Sequence, residues 1–429
     1  LYFLHCDILY ILINDKIKRE DLNMKKNCIV AQSGGPTAAI NASLAGVIKG
    51  VIANDNYDKI YGSIHGIQGV LKRNFLDLSN SEPLFIDQLT CTPAMYLGSC
   101  RFKLPDMPEG KTSYEQIFEC FKEMNIGAFF YIGGNDSMDT VAKLSAYAAS
   151  IGSDIKIAGI PKTIDNDLVL TDHTPGFGSA AKYIASSIRE IAYDTYIYDV
   201  SSVTIVEIMG RDAGWLTAAS VLARTADSPA PHLIYLPETA FDEEQFITDL
   251  TNTMKFHQNV IVAVSEGIHD KDGNYIAAGK AAADKFGHAQ LSGAGKALEF
   301  LVKERLGVKV RSVEVNVLQR CAGHLTSKTD IEEALQLGES AVHLTSSGNS
   351  GFMTTLNRTS ESPYVCTIGH APVSEVANKA KGVPANWITE GKNDVTADMV
   401  NYLTPLVAGE LKPSYENGIV SYLPVPHLI

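Results

Sequence analysis

The sequence predicts an α/β protein built on a parallel sheet flanked by helices. Two observations carry that prediction. Apolar runs rich in Val, Ile and Phe recur along the chain, as strands covered on both faces require. Most of these runs end in a polar, glycine-containing loop, and helical spacing resumes after the first two. In order, Cys28-Ile29-Val30-Ala31 reads as a short strand, and residues 33–37 as a turn. A helix follows with Ile40, Leu44, Val47 and Ile48 on one side. Ala128-Phe129-Phe130-Tyr131-Ile132 is the next strand, and it ends at Gly133-Gly134-Asn135-Asp136-Ser137, where another helix begins. Ile155-Lys156-Ile157-Ala158 opens into a polar loop. Residues 202–207 run as a strand into Met209-Gly210-Arg211, and residues 260–264 into Ser265-Glu266-Gly267. Gly293-Ala294-Gly295-Lys296 opens a helix carrying Leu298, Phe300 and Leu301. No internal repeat, low-complexity tract or flexible linker interrupts this rhythm.

The 429 residues suffice for two domains or one large one. A formal charge of −13 argues against nucleic-acid binding, whereas an anionic small substrate needs only local positive charge. The seven cysteines are odd in number and form no C-x-x-C pair, so they read as reduced thiols of a cytoplasmic protein. Residues 1–13 are apolar but include His5 and Asp7 and are too short to span a bilayer. Residues 1–23 read as an upstream extension before Met24, with a docking helix as the other reading. No membrane partner is expected.

The densest chemistry lies in Gly159-Ile160-Pro161-Lys162-Thr163-Ile164-Asp165-Asn166-Asp167. Loops at the carboxyl ends of parallel strands are where open α/β sheets bind ligands. A carboxylate there can take a proton from an alcohol, and a lysine can hold a phosphate, which points to phosphoryl transfer to a hydroxyl. The glycine pairs Gly34-Gly35 and Gly133-Gly134 let backbone N–H groups approach an anion. Taken alone, each is equally a tight turn. There is no G-x-x-x-x-G-K-[ST] and no protein-kinase signature. Bland readings stand beside these: Asp165 and Asp167 as turn or cap residues, Arg211 as a structural ion pair, His173, His288 and His324 as structural histidines, and Trp215 as core.

Taken together, these pieces resemble the phosphofructokinase family, of the pyrophosphate-dependent kind. The matching segments are Gln32-Ser33-Gly34-Gly35-Pro36-Thr37 with Asn41, Leu97-Gly98-Ser99-Cys100-Arg101, Gly133-Gly134-Asn135-Asp136-Ser137, the Pro161 to Asp167 run, Met209-Gly210-Arg211, Ser265-Glu266-Gly267, and Arg311 with Arg320. They occur in family order from about residue 28 to 323.

The resemblance implies two Rossmann-like domains with parallel-rich sheets flanked by helices. Residues 24–176 with about 319–375 would hold the phosphoryl donor, and residues 177–318 with about 376–429 the sugar phosphate. It implies phosphoryl transfer from pyrophosphate to the 1-hydroxyl of fructose 6-phosphate, in glycolysis, with Mg²⁺ as cofactor and a homodimer or homotetramer as the assembly. Asp165 matches the base. Thr163, Asp167, Met209, Gly210, Arg211, Glu266, Arg311 and Arg320 match sugar-phosphate positions, and guanidinium forks suit phosphate oxygens. Gly34, Gly35, Arg101, Gly134, Asp136, Ser137 and Lys162 match the donor side.

ATP-using relatives carry glycine at the positions of Asp136 and Lys162. An aspartate fills that space and repels a nucleotide phosphate, while the lysine supplies charge to a short donor. Coulomb terms of about 4 kcal/mol at an effective dielectric near 20 are ample for such a switch. Asn135 stands where ATP users have a metal-side aspartate, so the metal ligand is open among Asn135, Asp136 and Asp165. Val317 replaces a hydrogen-bonding residue, and Ser201-Ser202 replaces a basic one, leaving Lys182 or Arg224 as substitutes for the 6-phosphate. An ATP-dependent 6-phosphofructokinase and a catalytically silent sugar-phosphate-binding subunit are the alternatives.

Overall fold

The computed structural model describes residues 25–100, 102–276 and 293–426. The expected extension over residues 1–23, Arg101 and His288 lie outside the described residues. Two sheets organise the chain.

The larger sheet has seven strands: β1 (Lys26–Gln32), β2 (Tyr57–Ser63), β3 (Phe75–Asp77), β4 (Ile126–Gly133), β5 (Lys156–Pro161), β10 (Phe352–Glu361) and β11 (Tyr364–Pro372), in the order β11-β10-β5-β4-β1-β2-β3. Its five central strands are parallel, and β3 and β11 close the two edges antiparallel. The smaller sheet is parallel throughout, with β6 (Ser202–Ile208), β7 (Leu233–Tyr235), β8 (Asn259–Ser265) and β9 (Lys309–Glu314) in the order β7-β8-β6-β9. The inner strands read as unbroken apolar runs because both faces are covered. Cys28, Ile29, Val30 and Ala31 are fully buried, as are Val260 through Val264.

Every strand expected from the sequence is present, with ends shifted by at most three residues. The helix expected after the first turn is Ile40–Ala53, and it buries Ile40, Leu44, Val47 and Ile48 as spaced. The helix after Gly293 is Ala294–Leu306, but Phe300 is exposed; Leu298 and Val302 make its buried face.

Residues 328–372 return to the larger sheet, and residues 383–406 add to the core of the smaller one. Helix Lys328–Ser346 crosses Ile40–Ala53 at two glycines. A Cβ at Gly46 would lie 2.0 Å from the Leu335 carbonyl oxygen, and one at Gly338 2.2 Å from that of Ser43. Only glycine allows so close an approach of two helix backbones. Helix Phe177–Tyr196 packs Ile184 and Ile188 into the core of the smaller sheet, with Trp215 and Tyr402 in the same cluster. Trp215 is therefore core, as expected. No described helix is long and apolar enough to cross a membrane. Cys28, Cys100 and Cys120 are buried free thiols.

Candidate active site

Five parallel strands point their carboxyl ends at one cleft of about 710 Å³. β1 delivers Gly34 and Gly35; β4 delivers Gly134 to Ser137; β5 delivers Lys162, Thr163, Asp165 and Asp167. From the smaller sheet, β6 delivers Met209 and Arg211, and β8 delivers Glu266. Arg320 comes from the short helix Leu318–Cys321.

The Gly34-Gly35 backbone lies against two cations. A Cβ at Gly34, whose φ is +80°, would sit 3.3 Å from Lys162 Nζ, and one at Gly35 3.3 Å from an Arg320 guanidinium nitrogen. Side chains there would crowd both cations. The loop is fixed from beneath by buried amides. Gln32 donates to Asn41 Oδ1 (2.9 Å), accepts from Leu97 N (3.0 Å), and Asn41 donates to Thr92 O (2.8 Å). Ser99 Oγ then donates to Gly34 O at 2.8 Å.

Lys162 is buried and donates to Gly35 O at 2.6 Å. Burial pushes its ammonium down to about 7, against the pull of Asp165 and Asp167 and with the push of Arg320. The two carboxylates behave in the complementary sense. Burial raises Asp165, opposed by Lys162, and burial with the neighbouring Asp165 lifts Asp167 to about 7. Burial also lifts Glu266 to about 7, although its Oε1 accepts from Gly210 N at 3.3 Å. Titratable groups displaced in opposite directions within one cleft mark an acid–base and anion-binding site. Among the described residues, three polar atoms of this cleft are buried without a hydrogen-bond partner: Asp167 Oδ1, Arg211 Nε and Arg320 Nε. Such atoms suit a polar ligand.

The loop after β5 is held by several hydrogen bonds. Lys162 N donates to Gly133 O (2.9 Å), Asp165 N to Thr163 Oγ1 (3.1 Å), and Thr174 Oγ1 to Thr163 O (2.9 Å). Asn166 takes φ +53° and anchors to the Tyr402 hydroxyl at 2.9 Å. Asn tolerates that left-handed geometry, so the flanking aspartates project together.

The chain belongs to the phosphofructokinase family. The family model, described as Phosphofructokinase, matches residues 27–345. A pyrophosphate–fructose 6-phosphate 1-phosphotransferase of Halomonas elongata is 40% identical over 396 residues, 92% of this chain and 94% of its own length. One of Methylococcus capsulatus is 39% identical over 401 residues, 93% of this chain and 95% of its own. A solved pyrophosphate-dependent phosphofructokinase of Nitrosospira multiformis superposes with a TM-score of 0.84 at 38% identity, covering 93% of this chain and 96% of that one.

Of the phosphofructokinase positions read from the sequence, the structure gathers most around the cleft, and Gly210 beside it. Arg311 stands apart. It is on β9, outside the lining of its own chain's cleft, paired with Asp194 (2.7 Å) and Thr195 (3.1 Å). Two substitutes offered for the 6-phosphate are engaged elsewhere within the chain. Arg224 is locked in a two-pronged pair with Asp394 (3.0 Å twice), and Lys182 Nζ is spent on the carbonyls of Thr326 and Gly409. Neither lines the cleft.

Asn135 has an unexpected role as well. Its Oδ1 accepts from Asn378 N (2.7 Å) and its Nδ2 donates to Lys379 O (2.6 Å). Residues 378–382 form a further cleft wall that sequence reasoning missed. The signal was the short basic turn Asn378-Lys379-Ala380-Lys381-Gly382, beyond the last segment that carries the resemblance. Among the described residues, no group of three or more His, Cys, Asp or Glu could hold a metal alone.

Proposed function

We propose that this chain transfers a phosphoryl group from pyrophosphate to the 1-hydroxyl of fructose 6-phosphate, giving fructose 1,6-bisphosphate and phosphate, reversibly and in the cytoplasm as part of glycolysis. The observation that carries this reading is the buried Lys162 ammonium at the meeting of two glycine loops, with Asp136 at the start of the adjoining helix. Similarity to relatives named for that reaction supports it.

The 1-hydroxyl oxygen attacks the terminal phosphorus as the bridging P–O bond breaks and phosphate leaves. Asp165 accepts the hydroxyl proton. Its raised pKa makes it a better proton acceptor than an ordinary carboxylate, and Lys162 beside it keeps the ionised form accessible. Lys162 and Arg320 stabilise the charge on the moving group, with N–H groups of the Gly34-Gly35 turn and of the Asn135–Ser150 helix N-terminus. Glu266 accepts from sugar hydroxyls, and Arg211 forks onto sugar-side oxygens. Asp136, at the helix start, bars the extra phosphate of a nucleotide.

Magnesium fits these donors. Asp165 and Asp167 offer carboxylates, and Asp167 Oδ1 is a buried acceptor without a partner. Mg²⁺ is typically held by one or two carboxylates together with water and substrate phosphates. Bound there, it would neutralise charge on the phosphates. Asn135, whose amide is engaged with residues 378 and 379, is left out of this ligand set.

A second copy completes the sugar-phosphate end in this reading. Arg311 shares its side of the smaller sheet with exposed Tyr193 and Ile197, an apolar surface suited to a symmetric contact. A coupled assay with each donor in both directions tests the proposal. Turnover with pyrophosphate and not ATP is expected; turnover with ATP alone would sink it.

A further inference from the structure

The wall formed by residues 378–382 is an exposed strap pinned at both ends. At its start, Asn135 grips Asn378 N and Lys379 O, and Asn378 Nδ2 donates to Asp139 Oδ1 at 2.9 Å. Asn378 adopts φ +61°, so the chain turns sharply there. At its end, Lys381 N donates to Asp167 O (2.8 Å), and Lys381 Nζ caps the carbonyls of Thr171 and Asp172 (2.7 and 2.6 Å). Trp215 Nε1 donates to Lys381 O at 3.2 Å. Between these anchors, Ala380 bridges to Leu168.

So Lys381, although it lines the cleft, spends its ammonium on backbone carbonyls. Lys379 does not. It lines the same cleft, its backbone is clamped by Asn135, and its ammonium makes no ion pair or hydrogen bond among the described residues. Its anchor is the first residue of the helix that begins Asn135-Asp136-Ser137, on the donor side of the cleft. The other charged groups lining the cleft are Asp136, Asp165, Asp167, Asp212 and Glu266 on the acidic side and Lys162, Arg211, Arg320 and Lys381 on the basic side. A flexible cation on a fixed backbone, beside a helix N-terminus, suits a small polyanion.

We infer that Lys379 is a pyrophosphate-binding residue and that Asn135 is its positioning residue. The inference rests on the proposed donor. An amide is needed at position 135 because it must accept from one backbone N–H and donate to the neighbouring carbonyl. A carboxylate can do only the first. The residue that departs from the metal-binding pattern of ATP users thereby gains a reason: it holds the strap whose lysine supplies charge to a donor that lacks a nucleoside.

The test is titration calorimetry with magnesium pyrophosphate, and separately with fructose 6-phosphate, on the full chain. Lys379→Met keeps the apolar stem and removes the charge. It is expected to weaken pyrophosphate binding about tenfold, the scale of one charge-assisted contact, and leave fructose 6-phosphate affinity unchanged. Lys379→Arg should restore most of it. Asn135→Asp should weaken pyrophosphate similarly, and adding Lys379→Met to it should cost little more, because both changes remove one contact. Unchanged pyrophosphate affinity in Lys379→Met, or a loss confined to fructose 6-phosphate, would overturn the inference. If the unaltered chain itself fails to bind pyrophosphate, the donor reading fails first, and the two failures are distinct.

Discussion

At the scale of single residues, burial sets the chemistry. Asp165→Ser removes the proton acceptor but keeps a small polar side chain. Turnover should fall by about three powers of ten, the range for loss of a positioned base, with fructose 6-phosphate affinity nearly unchanged by calorimetry. Lys162, held down at about 7 by burial, is largely neutral at pH 8 in the free protein. A bound anion favours the ammonium form, so binding should draw in a proton. Magnesium pyrophosphate titrated at pH 8 in buffers of different ionisation enthalpy should reveal that uptake, and Lys162→Met should lack it. Donor choice is tested by Asp136→Gly with Lys162→Gly: pyrophosphate turnover should be lost and ATP binding gained, read by equilibrium binding of each donor. The residue types at the cleft were legible in the sequence, because guanidinium, carboxylate and ammonium groups clustered after apolar runs have few other uses. Asn135 was not. An amide's role depends on its partner, and that partner lies 243 positions away. The partners of Lys182 and Arg224 were hidden for a similar reason, since a cation in the sequence says nothing of the carbonyls or carboxylate that engage it.

At the scale of elements, strands buried on both faces announced themselves, and so did the loops at their ends. The strap 378–382 did not, because an exposed turn has no hydrophobic period to detect. The helix crossing at Gly46 and Gly338 was equally silent, since glycine inside a helix usually signals weakness and here signals close approach. Gly338→Ala places a methyl 2.2 Å from a carbonyl oxygen. Overpacking of this kind should cost about 1–3 kcal/mol in urea unfolding.

At the scale of the whole molecule, a buried histidine joins three distant segments. His173 contacts Asp172 through Nδ1 (2.8 Å) and Glu333 through Nε2 (2.6 Å). Tyr364 also donates to Glu333 (2.7 Å), and Arg358 pairs with Asp172 (3.0 Å). Burial opposes protonation of His173, but the two carboxylate hydrogen bonds prevail and raise its pKa above the ordinary value. A raised folded value stabilises the protein fully below the unfolded imidazole pKa of about 6.5. That contribution is lost as pH rises through the higher folded value. Melting temperature followed from pH 6 upward should therefore decline in the unaltered chain, and more shallowly in His173→Gln.

The same long-range weave has a consequence for synthesis. β5 pairs with β4 on one side and with β10, nearly two hundred residues later, on the other. While the ribosome is still making the smaller sheet, β5 has one row of N–H and C=O groups unclaimed, an open seam that any extended peptide can join. The nascent chain therefore carries an open strand edge until residue 352 emerges, and chaperone demand should peak before then.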